Sequence, residues 1–175
     1  MMTGAAFDAL PYEEGRLAQL VNGRLLRFPD FTPEHQGVRM NFALSLAGYF
    51  REHSFGRAYP DVEFALNENS RVRPDVAVIL HDNWRNLDEA KSPIPGAPDI
   101  AIEIISPLEH TAESLPKILA YLQHGVQEVW QVFPIDRTVL IYTSTSPLII
   151  VSDEEYLKTP HLPGWQLLLS EALDS

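Results

Sequence analysis

The segment PDIAIEIISP, residues 98–107, constrains the fold of this chain more than any other. It is apolar almost throughout and bounded by prolines, which predicts a buried strand. Glu103 lies in its middle, and a buried carboxylate is costly unless a cation, a metal ion or a proton compensates it. The segment RPDVAVIL, residues 73–80, repeats the pattern with Asp75. We expect two neighbouring strands that each offer one acid to a metal site.

The composition indicates one globular domain. The chain has 175 residues, of which 45% are hydrophobic, and it has no cysteine. The lack of cysteine excludes disulfides and thiolate metal sites. No apolar run reaches the roughly 18 residues that span a membrane, and the first residues do not resemble a secretory signal. We expect a cytoplasmic protein with a single domain over residues 1–175, in which residues 1–15 form a loosely ordered lead-in or a short helix.

The charge balance limits the kind of nucleic-acid binding that is plausible. Thirteen basic and 24 acidic side chains give a formal net charge of −11. This argues against tight, non-specific binding, which depends on many cations that neutralise phosphates. A local basic groove remains compatible with the sequence, because arginines concentrate in the first half of the chain. A negative surface by itself most often serves solubility.

Turn and capping signals define the first elements. The dipeptide Asn-Gly at residues 22–23 predicts a hairpin between two short strands. Thr32 and Pro33 suit the N-cap and the first position of a helix that runs to about His53. Together these signals predict an N-terminal β-hairpin followed by a long helix.

Alternation and helical spacing define the remaining elements. Strands are predicted over residues 57–66, 72–80, 99–105, 128–133, 138–143 and 148–151. A loop over residues 81–97 is predicted to contain one helical turn near residues 87–90. A helix from Ser114 to Gly125 is predicted to bury Leu115, Ile118, Leu119 and Leu122, and the tail at residues 162–169 to lie on the sheet edge. The order predicts an α/β (α+β) fold, in which helices flank a mixed β-sheet.

The two acids have neighbours that leave space for an ion. Side chains alternate along a strand, so Glu103 shares a face with Ala101, and Asp75 shares one with Ala77. A hard cation such as Mg²⁺ takes oxygen ligands and keeps several waters, so two carboxylates and the carbonyl of Ile104 would suffice. The alternative is that the acids lie near strand ends or pair with Arg73 or Lys117.

Lys117 is a third candidate. With Ser114 as N-cap it falls in the first helical turn, where the helix dipole opposes a cation by roughly 0.3–1 kcal/mol. A cation in that position is often stabilised by a carboxylate or a bound anion. The alternative is a solvated lysine paired with Glu113, and helical periodicity favours it, because Lys117 and Tyr121 lie off the predicted apolar stripe.

The histidines do not have the spacing of a zinc site. They are His35, His53, His81, His110, His124 and His161. His35 lies on the apolar stripe of the first long helix, where a half-buried structural histidine is a more common reading than a catalytic one. The sequence also lacks GxSxG, Walker-type and GxGxxG motifs.

An ordered set of segments resembles the Uma-type putative restriction endonuclease family, within the PD-(D/E)XK nuclease superfamily. The segments are LVNGRL at 20–25, His35, Pro74-Asp75, IEIISP at 102–107, Lys117 to Tyr121, GVQEVW at 125–130 and LPGW at 162–165. The resemblance covers most of the chain. It implies a restriction-endonuclease-like core.

The resemblance also implies a chemistry and a set of site residues. Mg²⁺, or Mn²⁺ in its place, would be held by Asp75, Glu103 and the backbone carbonyl of Ile104, with Lys117 as the catalytic amine in phosphodiester hydrolysis. The superfamily pattern has its lysine two residues after the acid, where this chain has Ile105, so the helix supplies the amine. The resemblance gives supporting positions to His35, Gln19 and Tyr121; Gln19 stands where the family often has a glutamate.

Two functions are therefore open. The first is a Mg²⁺-dependent endonuclease acting on nucleic acid, DNA rather than RNA, as a homodimer by analogy with restriction enzymes and without a membrane partner. The alternative is a catalytically weak or inactive module of the same fold, which serves nucleic-acid or protein binding. The acidic composition and Gln19 favour the alternative.

Overall fold

The computed structural model describes residues 1–14, 16–29, 31–84, 86–106 and 111–174. Pro107, the last residue of the segment PDIAIEIISP, and His110, one of the six histidines, lie outside these residues. In chain order the elements are α1 (Gly4–Asp8), β1 (Arg16–Val21), β2 (Arg24–Pro29), α2 (Pro33–Glu52), β3 (Gly56–Pro60), β4 (Phe64–Asn67), β5 (Ser70–Val72), β6 (Val76–Leu80), α3 (His81–Trp84), β7 (Ile94–Pro95), β8 (Ile100–Ile104), α4 (Thr111–Gln123), β9 (Glu128–Phe133), β10 (Thr138–Tyr142), β11 (Ile149–Ser152), β12 (Tyr156–Leu157), β13 (Leu167–Leu168) and α5 (Leu169–Leu173).

A six-stranded mixed sheet forms the centre of the fold. Its strand order is β11-β10-β9-β8-β6-β3. The pair β6–β8 is antiparallel and the pair β8–β9 is parallel, so the two segments that carry the predicted acids are adjacent. Helices flank this sheet, and the predicted mixed α+β fold is confirmed.

A second sheet begins with the predicted hairpin. Its order is β2-β1-β5-β4-β7. Asn22 and Gly23 have positive φ angles of 49° and 77°, the conformation that a two-residue hairpin turn needs and that asparagine and glycine adopt most readily. The hairpin prediction is therefore confirmed, although the sheet that it opens is separate from the central one.

Two predicted strands are each divided in the structure. The segment 57–66 forms β3 and β4, which belong to different sheets, and the chain changes direction at Asp61, where φ is 56°. The segment 72–80 likewise divides between β5 and β6. The interruption there contains Pro74, which cannot donate a ladder hydrogen bond. Predicting one strand in each segment was wrong, because alternation alone does not reveal a change of sheet.

Each face of the central sheet is covered by a different apolar core. On one face, the valines of β6 and the isoleucines of β8 contact α2, whose N-cap Thr32 accepts a hydrogen bond from the backbone N–H of His35. α2 ends at Glu52, as predicted. On the opposite face, Ala77 and Ala101 lie in the core that includes α4 and the second sheet. The two acids share this second face with the alanines.

The buried side of α4 differs from the predicted apolar stripe. Leu115 and Leu119 are exposed, whereas Ser114, Lys117 and Tyr121 are buried with Ile118. α4 begins at Thr111, so Ser114 is not its N-cap and Lys117 lies in the second turn. The prediction was right for Ile118 and for Leu122, which is partly buried against the core, and wrong for Leu115 and Leu119, because polar contacts between this helix and the sheet determine which side is buried. The Glu113 side chain, the alternative partner, lies outside the described side chains.

The loop and the tail also differ from their predictions. The short helix of the loop is α3 at His81–Trp84, before the predicted turn near residues 87–90. In the tail, the Trp165 ring stacks on Trp130 of the inner strand β9, with centroids 5.6 Å apart, and its Nε1–H donates to Ser45 of α2. The tail therefore covers a face of the sheet, not its edge. Among the described residues, no helix is long and apolar enough to cross a membrane.

Candidate active site

The two predicted acids lie side by side on one face of the central sheet. Asp75 immediately precedes β6 and Glu103 lies within β8; in the register of this pair Val76 is opposite Ile102. Both carboxylates are buried, with 5% and 7% of their surface exposed. They line a cavity of about 30 Å³ together with Ile104 and Lys117. The antiparallel register thus brings together two acids that are 28 positions apart in sequence.

Asp75 is held in place from two directions. Its Oδ2 accepts a hydrogen bond from the backbone N–H of Ile104 at 2.7 Å. Its Oδ1 lies 3.3 Å from His35 Nε2, and the same nitrogen lies 3.0 Å from the carbonyl oxygen of Ile104. These contacts hold the Asp75 carboxylate near Ile104, and both residues line the cavity.

Glu103 has a cation and a hydroxyl as partners. Lys117 Nζ donates to Oε2 at 2.5 Å, and the Tyr121 hydroxyl donates to Oε1 at 2.7 Å. Burial raises the pKa of Glu103 to about 7; the Lys117 charge opposes this rise, the Asp75 charge adds to it, and the two hydrogen bonds lower it. The pKa of Tyr121 is raised well above 10 by burial and by the Glu103 charge, so its hydroxyl remains a donor.

Lys117 is a buried residue that points into the cavity. It has 4% of its surface exposed, and its ammonium lies 5.3 Å from the centroid of the Phe28 ring at the end of the hairpin. A cation over an aromatic face is stabilised by the ring quadrupole. The interpretation of Lys117 as a solvated residue was therefore wrong. Sequence reasoning did not single out Phe28, whose only signal was its alternation with Leu26 in β2.

His35 connects the start of α2 to the carboxylate cluster. Its ring stacks on Phe31, with centroids 4.3 Å apart. Burial lowers the pKa of His35, but the hydrogen bond and charge of Asp75 and the Ile104 carbonyl outweigh burial and raise it overall. Its Nδ1 is buried without a hydrogen-bond partner among the described residues. From the first turn of α2, His35 thus contacts both the Asp75 carboxylate and the Ile104 carbonyl.

Gln19 lines the same cavity but has a structural contact. Its side-chain oxygen accepts a hydrogen bond from the backbone N–H of Arg73 at 3.0 Å, two residues before Asp75. Arg73 itself contacts Asp61 and Glu63, at 3.8 and 4.0 Å. Gln19 therefore fixes the chain that leads into Asp75, and the suggested Asp75–Arg73 pair is not among the described ion pairs.

The residues fit a hard divalent cation. Asp75, Glu103 and Ile104 all line the cavity, whose volume is sufficient for a water molecule or a small ion. Each carboxylate oxygen has a second lone pair besides the one engaged by its protein donor. Among the described residues, no three or more His, Cys, Asp or Glu side chains form a metal-binding group. The donor set therefore suits a cation that completes its shell with water, as Mg²⁺ does.

The raised pKa of Glu103 predicts how stability depends on pH in the metal-free protein. The folded state binds this proton more tightly than the unfolded state, where the pKa is near 4.5. The stabilisation is therefore complete below about pH 4.5 and is lost as the pH rises through about 7. We expect the free energy of unfolding, measured with urea in EDTA, to fall by on the order of 3 kcal/mol through Glu103 as the pH rises from about 4.5 to about 7. Glu103→Gln should lack it, and parallel curves for the two proteins would contradict the assignment.

Comparisons with known proteins place the chain in a family. The family model “Uma2: Putative restriction endonuclease” matches residues 5–170. The crystal structure of a putative nuclease belonging to DUF820 from Anabaena variabilis ATCC 29413 has a TM-score of 0.84 and 20% identity, covering 99% of this chain and 98% of that chain. At this identity the likeness establishes the fold alone, and no curated protein matches. Because the family match spans nearly the whole sequence, the chain belongs to the Uma2 family of putative restriction endonucleases.

Proposed function

We propose that this protein is a metal-dependent endonuclease that hydrolyses phosphodiester bonds of nucleic acid, with DNA as the expected substrate. The observation that carries the proposal is the arrangement of Asp75, Glu103 and Lys117 around one buried cavity. Two carboxylates can hold a divalent cation, and an amine beside them can stabilise the charge that develops on a phosphoryl oxygen, which suits phosphodiester hydrolysis. Membership of the Uma2 family supports a nucleic acid as the substrate.

The proposed roles follow from the contacts of each side chain. Asp75, oriented by the Ile104 N–H, and Glu103, oriented by the Tyr121 hydroxyl, would hold the cation. When bound, Mg²⁺ supplies positive charge to the phosphate and lowers the pKa of a coordinated water. Lys117 keeps its ammonium at the same cavity, where it can donate to the charge that develops on the phosphoryl oxygens.

A wider cleft provides a route for the substrate to this cavity. It has a volume of about 750 Å³, and Phe31 and Arg73 are among the residues that line both spaces. Arg16 and Arg27 also line the cleft, and Tyr12 offers an exposed ring on which a base can stack. Its acidic lining residues are Asp8, Glu13 and Glu63. Arg27 is paired with Glu13, and Arg73 lies 3.8 and 4.0 Å from Asp61 and Glu63, so a phosphate would compete with these acids for the arginines of the cleft.

The test is a cleavage assay on plasmid, single-stranded DNA and RNA, with Mg²⁺ or Mn²⁺ and with EDTA. We expect cleavage of DNA that requires the divalent ion and stops in EDTA. Asp75→Asn, purified in parallel, controls for contaminating nucleases. Absence of cleavage of every substrate with both ions would contradict the proposal.

A module that binds without cutting is the second candidate. Both carboxylate oxygens of Glu103 already accept hydrogen bonds, from Lys117 and Tyr121, so the cluster is a satisfied network without any added ion. A satisfied network of buried charges can serve structural specificity alone. This candidate would be favoured if the protein binds the same nucleic acids in a gel-shift measurement and shows no metal-dependent cleavage of them.

A further inference from the structure

A buried glutamine of the central sheet lies beside the carboxylate cluster without bonding to it. Gln131 belongs to β9 and has 3% of its surface exposed, and its side chain makes no hydrogen bond with any residue that the structure describes. Buried polar side chains are nearly always hydrogen-bonded, and an exception calls for an explanation such as a catalytic role or a bound water or ion. The Gln131 amide is therefore an available donor and acceptor inside the protein.

The register of the sheet places Gln131 next to Glu103. The two residues are opposite each other in the parallel pair of β8 and β9. Because the pleats of neighbouring strands are aligned, opposite residues point to the same face of the sheet. The Glu103 carboxylate accepts from Lys117 and Tyr121 of α4, so Gln131 is also directed toward this helix.

Gln131 lines a second, smaller cavity that Lys117 also lines. Its volume is about 10 Å³, close to the minimum for one water molecule. Its polar lining residues are Glu103, Ser114, Lys117 and Gln131. Glu103 and Lys117 border the larger cavity of the candidate active site as well, whereas Gln131 borders only the smaller one. The amine and the carboxylate thus connect the two spaces.

Packing does not require a polar side chain at this position. Val129 lies on the same face of β9 and is buried in the core that includes α4. Leu140 is opposite Gln131 in β10, and Ile118 of α4 lines the same small cavity. An aliphatic side chain would be buried among these neighbours without the cost of desolvating an amide. The amide is therefore explained by the groups to which it can bond.

Lys117 needs a second acceptor if Glu103 is to bind a cation. The ammonium has three donors, and its hydrogen-bond acceptor among the described residues is Glu103 Oε2, at 2.5 Å. A divalent cation on the Glu103 carboxylate would compete for this oxygen and repel the ammonium. A buried charge that loses its partner is strongly destabilising. Cation binding therefore depends on another acceptor within reach of Lys117.

Gln131 has the chemistry and the position of this second acceptor. Asp75, the other carboxylate of the larger cavity, would be engaged by the same cation. Gln131 is neutral, so its oxygen accepts from the ammonium without competing with Glu103 in the metal-free protein. A cavity that holds one water allows a bond through that water, and the flexible stem of lysine can also bring the ammonium to the amide directly.

We propose that Gln131 is a positioning residue for Lys117, and that its amide oxygen accepts a hydrogen bond from the ammonium, directly or through one water, when Glu103 binds a divalent cation. Lys117 then exchanges one acceptor for another and stays at the active site, where its charge faces the phosphate. Glu103 is released to hold the cation. This role rests on the proposed function, because it concerns the same metal site.

Calorimetric titration with Mn²⁺ of four full-length proteins tests the proposal. They are the wild type, Gln131→Met, Lys117→Met and the double variant; methionine matches the length of glutamine and lacks the acceptor. We expect Gln131→Met to weaken Mn²⁺ binding by roughly 10- to 100-fold, the usual cost of losing a group that supports a metal ligand. In the Lys117→Met background the same substitution should have no measurable effect, because no ammonium remains to be held.

Two further variants separate an acceptor from a packing role. Gln131→Glu keeps an acceptor of the same length, so it should bind Mn²⁺ at least as tightly as the wild type. Gln127→Met is the matched control, because the Gln127 amide donates to Asp99, outside both cavities, and its Mn²⁺ affinity should equal that of the wild type. In EDTA, thermal unfolding should show Gln131→Met to be no less stable than the wild type, since it loses no hydrogen bond there.

The outcomes separate this role from the proposed function. Equal weakening by Gln131→Met in both backgrounds, or weakening in neither, would overturn the role of Gln131 and leave the metal site in place. A wild type that binds no Mn²⁺ would contradict the metal site and this role together. Coupling between the two substitutions without cleavage of any nucleic acid would support the role of Gln131 and contradict the endonuclease.

Discussion

Asp75→Asn is expected to abolish both divalent-ion binding and cleavage while leaving the fold intact. The asparagine oxygen can still accept the hydrogen bond from the Ile104 N–H, so the local geometry survives. The negative charge that would attract the cation is lost. Removal of an outer-shell partner typically costs 10–100-fold in metal affinity or activity, and loss of a direct ligand should cost more than roughly 100-fold. Calorimetric titration with Mn²⁺ and the plasmid assay measure the two effects.

Glu128→Gln is the matched control for this prediction. Glu128 is also a buried carboxylate on the central sheet, but its partners, the Trp130 indole, the Thr159 hydroxyl and the His161 imidazole, lie outside the cavity. Its replacement should lower stability and leave Mn²⁺ binding and cleavage per folded molecule unchanged. Equal Mn²⁺ binding by wild type and Asp75→Asn would contradict the proposed metal site. Loss of cleavage in Glu128→Gln but not in Asp75→Asn would mean that the active site lies elsewhere, near Glu128.

The buried acids of the central sheet differ in what surrounds them. Asp99 accepts from the Leu80 N–H at 2.7 Å and from the side-chain amides of Asn83 and Gln127 at 3.1 and 2.8 Å. Neutral donors satisfy Asp99 in this way, whereas Glu128 accepts from the Trp130 indole and the Thr159 hydroxyl and also lies 3.7 Å from the imidazole of His161. Asp75 and Glu103 instead lie together beside an ammonium, an imidazole and a cavity. Burial of an acid therefore does not identify a site; the convergence of charged groups on one space does.

Local signals were sufficient for part of this arrangement. The turn at Asn22 and the cap at Thr32 could be predicted because each depends on the backbone preference of one or two residues. The shared face of Asp75 and Glu103 followed from alternation, once the two strands were taken as neighbours. Their side-by-side position needed the register of β6 and β8, which is a property of the whole sheet and has no local sequence signal.

The orientation of α4 shows where sequence reasoning fails. Helical periodicity assumes that apolar residues determine the buried side. Here Lys117 and Tyr121 are buried because Glu103 accepts from both, and Leu115 and Leu119 are consequently turned outward. A conflict between pattern and structure is expected at functional sites.

Lys117→Met is expected to reduce cleavage by about 100- to 1,000-fold, the typical loss when a group that stabilises transition-state charge is removed. Mn²⁺ binding should persist or strengthen, because Glu103 would no longer share Oε2 with an ammonium. The rise in melting temperature on adding Mn²⁺ should be at least as large as in the wild type. Two buried carboxylates without a cation repel one another, so the metal-free variant should be less stable than the wild type.

The opposite effects of Asp75→Asn and Lys117→Met on Mn²⁺ binding distinguish a metal ligand from a catalytic amine. Both variants would be inactive, so activity alone cannot separate the two roles. Lys91→Met is the matched control, because Lys91 is an exposed lysine paired with Asp88, and it should behave as the wild type. If Lys117→Met lost Mn²⁺ binding as well, Lys117 would be needed only to keep the carboxylates in place. If it retained full cleavage, the ion pair with Glu103 would be structural and the amine would have no part in the reaction.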